Sequence, residues 1–302
     1  MAGRDHMIVV GIDENGLAPR LGMFCLTASV FECKNYEPAA FWKIFGATGV
    51  KDSKQILSSR KMKKGWEIAL SFMRILHGKT PSSWDDFLER VGFMRPSEYK
   101  KECRKNCLPL CWNNDEPLEG NFAFSGLKLD GSVKLKDIKV LYYCPKMFND
   151  GIKRRSTKTA LEFEMLEKFF SKYRALYGEN VLYVCGKLGG TKRYERFFDF
   201  LKNFELVKKT EEKNSSYEFE NFGRVEFVMD AEEKHFPVAL SSVFGKVVRE
   251  IFVGRMNFFF KKHIASLKNA SGYNDRITAE FILKTRAVRK KLKIPAACFI
   301  RG

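Results

Sequence analysis

The sequence predicts an α/β fold in which strands and helices interleave in packed layers. Three observations carry this. Two apolar runs rich in β-branched residues follow one another near the N-terminus, a strand–helix–strand–helix succession occupies residues 139–203, and the last third carries apolar residues at helical spacing. With 302 residues the chain can bury a sizeable core, and a single domain over residues 1–302 is expected.

Residues Met7 to Ile12 (MIVVGI) read as a buried strand that ends in charge and glycine. Gly16 to Gly22 reads as a loop and Met23 to Phe31 as a second strand, so a hairpin is the simplest arrangement. Ser58 to Leu76 opens with capping-type serines and continues as an amphipathic helix. Residues 78–137 are less regular and read as an insertion. Regular structure resumes with a strand at Lys139–Cys144, a helix at Ser156–Leu176 and a strand at Asn180–Cys185. A helix around Tyr194–Asn203 and strands at Tyr217–Phe219 and Val225–Met229 follow. Residues 236–302 form a C-terminal helical part, with helices at Phe236–Lys262 and Thr278–Leu292.

Lys and Arg number 54 against 36 Asp and Glu, giving a formal charge of +18. A field of that sign favours polyanions such as nucleic acid or an acidic membrane face. No apolar run reaches the roughly 18 residues of a membrane span. The N-terminus lacks a signal-peptide pattern, so a cytoplasmic location with reduced cysteines is expected. The 28 Phe point to a Phe-rich core or to stacking surfaces.

Asp13 and Glu14 close the first strand just before Gly16, and Asp230 follows the apolar strand VEFVM. Carboxylates gathered at strand ends suit a hard divalent cation and two-metal phosphodiester chemistry. Neighbouring residues on a strand point to opposite faces, so Asp13 and Glu14 reach one site only if the strand ends between them.

The segment GIDENGLAPRLGMF resembles the opening motif of the ribonuclease HII family, GIDEAGRGPxxGP. Asp52-Ser53-Lys54 with the following QILSSRK, the stretch from Asp230 to Glu250, and Ser271-Gly272-Tyr273 resemble three further blocks of that family, in its order. The likeness is closer to a divergent bacterial branch. It implies a ribonuclease H-like mixed β-sheet flanked by helices, an endonuclease using Mg²⁺ or Mn²⁺, and RNA–DNA hybrid or duplex containing ribonucleotides as partner of a monomer. By position, Asp13, Glu14 and Asp230 match the first, second and last of four catalytic, metal-binding carboxylates. Lys54, Ser242, Lys246 and Arg249 fall where the family contacts phosphates or supports the site. Gly16 keeps the tight turn, and Tyr273 matches the tyrosine that stacks near an RNA–DNA junction.

Two departures matter. The third carboxylate is missing: Cys185 or Gly186 occupies its place, with Gly186 the favoured alignment. Neither suits Mg²⁺. The site is then naturally inactive, disabled by an introduced glycine, or completed by another carboxylate such as Glu232 or Glu164. The alternative to an enzyme is a non-catalytic nucleic-acid-binding protein of the same fold. Gly16-Leu17-Ala18 also replaces the family's GRG loop, which puts recognition of a single ribose 2′-hydroxyl in doubt.

Other residues carry two readings each. Cys103, Cys107 and Cys111, with Cys144, are a thiolate zinc set or buried reduced thiols. Gly189 to Tyr194 is a phosphate-cradling loop through Lys192 and Arg193, or a structural turn. His235 is a proton relay or a helix-start surface histidine. Arg286 to Lys293 is a duplex-binding face or a solvated helix side.

Overall fold

A computed structural model describes residues 6–50, 62–95, 97–99 and 131–302. The predicted hairpin is present: β1 (Met7–Asn15) pairs antiparallel with β2 (Phe24–Cys33), which pairs antiparallel with β3 (Val133–Tyr143). β1 runs parallel to β4 (Val181–Gly186), and β4 parallel to β7 (Gly223–Val228). β6 (Ser215–Phe219) and β5 (Leu206–Glu211) complete a mixed sheet in the order β3-β2-β1-β4-β7-β6-β5. The central strands are buried on both faces, which is why they read as continuous apolar runs.

Helices cover both faces. On one side lie α1 (Pro38–Phe45), α2 (Met62–His77), α3 (Trp84–Val91) and α7 (Phe236–Lys261), over a core containing Phe41, Phe45, Phe72, Phe87, Phe236 and Phe244. On the other lie α4 (Pro145–Arg155) and α5 (Lys158–Tyr177), over Phe148, Phe163, Phe169 and Phe170. The phenylalanines named therefore build the core. α6 (Ala231–Lys234), α8 (Arg276–Lys284) and α9 (Arg286–Lys291) are further α-helices of the described residues. Within the stretch expected as an insertion, α3 packs Phe87, Leu88 and Val91 into the core and β3 begins at Val133. Residues 96 and 100–130, with Cys103, Cys107 and Cys111, lie outside the described residues.

Two predicted helices are changed by single side chains. The expected helix around Tyr194–Asn203 is instead two short 3₁₀ turns. The Glu167 carboxylate accepts from the backbone N–H groups of Asp199, Phe200 and Leu201 at 2.9, 2.9 and 3.1 Å, starting a new turn there. The expected helix over 278–292 divides at buried Thr285, whose hydroxyl donates back to Phe281 O at 2.7 Å. Such back-bonding bends helices. The strand β5 was not expected: LVKKTE is a short, charged edge strand without an apolar pattern. Among the described residues no helix is long and apolar enough to cross a membrane.

Glu162 on α5 is an anomaly. It is 1% exposed, and neither carboxylate oxygen has a hydrogen-bond partner among the described residues. Burial pushes it up to about 7, against a weaker opposing pull from Lys158. A raised folded-state pKa means that the fold binds the extra proton, so stability falls as pH rises from about 4.5 to about 7. The shift corresponds to an upper bound of about 3 kcal/mol. Glu162→Met is expected to remove that part of the slope. Urea denaturation at pH 5 and pH 8 checks it, and parallel profiles for the two proteins would refute it.

Candidate metal and nucleic-acid site

The parallel pair β1 and β4 ends at one rim of the sheet. Their last paired residues are Ile12 and Cys185. Asp13 and Gly186 come next, and a Cβ added to Gly186 would stand 3.4 Å from Asp13 Oδ1. Position 186, not 185, therefore faces Asp13. Cys185 turns to the opposite face and packs in the α5-side core.

The strand does not end between Asp13 and Glu14 as expected: β1 continues to Asn15, still paired with β2. Both carboxylates reach common space for another reason. The β1–β4 pairing stops at Ile12 and leaves that flank of β1 open. Asp13, Glu14, Gly186, Asp230 and Glu232 all line a cavity of about 250 Å³. A neighbouring cavity of about 530 Å³ shares Asp13, Glu14 and Glu232 and adds Gly16, Lys158, Ser242, Lys246 and Tyr273.

Asp13 is held on several sides. Asn15 Nδ2 donates to its Oδ2 at 3.1 Å and reaches Ser242 O at 3.3 Å, while the Ser242 hydroxyl also donates to the Asp13 carboxylate. Burial, then the charge of Glu14 and more weakly that of Glu232, pushes Asp13 well above the ordinary carboxylate range; the Ser242 hydroxyl acts the other way. Asp230 caps α6 from a left-handed conformation, φ 55° and ψ 42°, and its exposed side chain makes no capping hydrogen bond. A non-glycine residue there costs about 1 kcal/mol, and such strain clusters at functional positions.

Among the described residues no three His, Cys, Asp or Glu side chains form a ready metal cage. The donors are nevertheless hard oxygens whose mutual repulsion a divalent cation would relieve. Mg²⁺ is commonly held by one or two carboxylates together with water and substrate phosphates. The residues present fit that pattern rather than an all-protein cage.

Behind the site, Arg249 on α7 is fully buried. Its Nη2 donates to Ser271 O at 2.8 Å, and its guanidinium lies 4.5 Å from the Tyr273 ring centroid. Gly16 and Gly272 both adopt positive φ, 90° and 82°, and an added Cβ at either would come within 3.1 Å of this side chain. Arg249 is thus the floor of two turns and cannot reach a phosphate. Lys246 lies in front of it, 3.3 Å from the Tyr273 hydroxyl and 3.2 Å from Glu250. Tyr273 is 40% exposed.

Several expected residues lie elsewhere. Lys192 and Arg193 are exposed and line neither cavity; the loop before them precedes a 3₁₀ turn, not an α-helix, so no helix N-terminus backs a phosphate cradle there. His235 is half-buried, its Nδ1 2.9 Å from the Tyr36 hydroxyl, and lines neither cavity. Burial and then Lys234 push it down to about 4, so it is no proton relay for this site. Glu164 is paired with Arg154 and Arg155; these bonds outweigh its burial and hold it below the usual carboxylate range. That leaves Glu232 as the carboxylate near position 186. Cys144, Cys25, Cys33 and Cys185 are buried, and Cys103, Cys107 and Cys111 lie outside the described residues. In the 286–293 run, Arg289 turns inward, 4.4 Å from the Phe299 ring centroid, while Arg286, Lys290, Lys291 and Lys293 are exposed. Lys54, with Asp52 and Ser53, lies outside the described residues.

Sequence reasoning missed Asn15 and Lys158. A lysine in the first turn of a helix opposes the helix dipole, and Lys158 in the first turn of α5 carries that signal.

No family model and no curated protein matches the chain. Solved structures do. The ribonuclease H2 of Pyrococcus horikoshii OT3 is similar over 97% of this chain and 92% of its own, at 18% identity and a TM-score of 0.50. Bst-RNase HIII, solved in complex with Mn²⁺, is similar over 98% of this chain and 66% of its own, at 14% identity and a TM-score of 0.52. The chain therefore has the ribonuclease H-like α/β fold seen in ribonucleases HII and HIII.

Proposed function

We propose that this chain is a divalent-metal-dependent endonuclease of ribonuclease H type, acting on the RNA strand of RNA–DNA hybrids or at RNA–DNA junctions. The observation that carries this reading is the convergence of Asp13, Glu14, Asp230 and Glu232 on one cavity at a sheet rim, beside a second cavity lined by Lys158 and Lys246. Mg²⁺ or Mn²⁺ held by these carboxylates would supply the Lewis acid for attack of water on the phosphodiester. The chain's own residues do the rest. Asn15 and Ser242 orient Asp13. Lys158 and Lys246 hold backbone phosphates, which position a duplex without reading its sequence. The Gly16 turn brings backbone close to a ribose, and Tyr273 offers a ring face for stacking.

A second reading, hybrid binding without turnover, is favoured by one observation: Gly186 supplies no ligand beside Asp13. Cleavage and binding assays on a hybrid and on a duplex with one ribonucleotide, with Mg²⁺ or Mn²⁺, separate the two. Metal-dependent cutting that disappears in Asp230→Asn is expected. Tight binding without cutting supports the second reading, and no binding at low salt overturns both. The affinity should fall at least about a hundredfold between 50 and 200 mM salt. Mn²⁺ should also raise the melting temperature of the free protein by a few degrees, as any ligand of the folded state does, and not that of Asp13→Asn. An equal shift in both proteins would place the cation elsewhere.

A further inference from the structure

One helix also carries a third cavity, away from the carboxylate rim. Lys246 lines the site, and one turn further along α7 Glu250 both pairs with Lys246 at 3.2 Å and lines a separate cavity of about 310 Å³. Its walls include Trp66 of α2 and Trp84 of α3, with ring centroids 5.4 Å apart and planes at 62°, and Phe258 of α7. The Trp66 indole N–H is buried and has no acceptor among the described residues. At the rim stand Lys261 and Asn269, both exposed.

Gly254 also lines this cavity. It sits within the 26-residue helix α7, where glycine costs up to about 1 kcal/mol relative to alanine. Packing does not demand it: an added Cβ would meet nothing within 4 Å. The effect of the glycine is a bare surface among aromatic walls.

We infer that this cavity takes a nucleobase with its attached phosphate, from an unpaired stretch of the nucleic acid engaged at the carboxylate site. The inference rests on the nucleic-acid reading above. Planar aromatic walls suit a base of any sequence, because every base has a π-face. The Trp66 N–H lacks the acceptor that a ring nitrogen or carbonyl of a base provides. Lys261, which has no partner among the described residues, matches a phosphate. The distance also fits: from residue 246 to residue 254 is about 12 Å along a helix, or about four nucleotides at about 3.4 Å each.

Tryptophan fluorescence titrations with a blunt RNA–DNA hybrid, the same hybrid with a six-nucleotide single-stranded extension, and adenosine 5′-monophosphate test this. The extended hybrid should quench the emission and bind about tenfold more tightly than the blunt one. Gly254→Leu fills the cavity with a better helix former and should abolish both effects, leaving blunt-hybrid affinity unchanged. Trp66→Phe, which removes only the N–H donor and keeps a stacking wall, should reduce the preference in part. Equal binding of both hybrids by the wild type, or a preference that survives Gly254→Leu, overturns the pocket while leaving the site reading intact. Quenching by the mononucleotide alone, lost in Gly254→Leu, keeps the ligand chemistry and assigns it to free nucleotides. If no hybrid binds and the mononucleotide does not quench, both readings fall.

Discussion

Replacing Gly186 by aspartate is expected to raise metal-dependent cleavage of an RNA–DNA hybrid on the order of a hundredfold, the upper range for restoring a missing group around a metal. The backbone allows it: Gly186 closes β4 in ordinary extended conformation, and its Cβ would make normal van der Waals contact, 3.4 Å from Asp13 Oδ1. The same change without metal should destabilise the protein, because a further carboxylate joins one whose charged form burial and then Glu14 already disfavour. Gly186→Asp should therefore melt below the wild type in chelator and at or above it in Mn²⁺. Single-turnover cleavage rates and paired melting curves check the two halves. A variant that melts lower in chelator, gains from Mn²⁺ and still does not cut would show that position 186 is not what limits turnover.

The second large effect concerns Arg249. Arg249→Ala is expected to cost about 3 to 4 kcal/mol, lowering the melting temperature by about 10 °C. The truncation leaves Ser271 O without its donor and removes the surface against which Gly16 and Gly272 pack. Arg249→Lys should recover little, since one ammonium cannot both meet the Ser271 carbonyl and cover Tyr273 as a planar guanidinium does. Hybrid affinity should fall with stability, because Gly16 and Tyr273 line the lysine-bearing cavity. Unchanged denaturation midpoints in Arg249→Ala would contradict the role assigned to this side chain.

Much of this arrangement is legible in the sequence, for physical reasons that differ by residue. The hairpin of β1 and β2 is readable because both strands are buried on both faces and leave unbroken apolar runs. Asp13, Glu14, Gly16 and Asp230 stand out because charge and glycine interrupt those runs at strand ends. Their convergence needs the pairing of β1 with β4 and β4 with β7, which only the assembled sheet supplies. Gly186 could be named from motif spacing, but its contact with Asp13 depends on where the β1–β4 ladder stops. The resemblance leaves Arg249 either contacting phosphate or supporting the site, and only its burial beneath Gly16 and Gly272 decides for support. The break before the second 3₁₀ turn is illegible in the sequence because Glu167, about thirty residues upstream on α5, sets it.

The floor that Arg249 forms beneath Gly16 and Gly272 has a consequence for synthesis. The turn after the first strand has its lasting shape only once a helix more than two hundred residues later has docked, and contacts so distant in sequence slow folding. On a growing polypeptide the acidic rim would stay loose until that helix has left the ribosome. A half-made chain would then lack a formed site, and competence would arrive late and all at once.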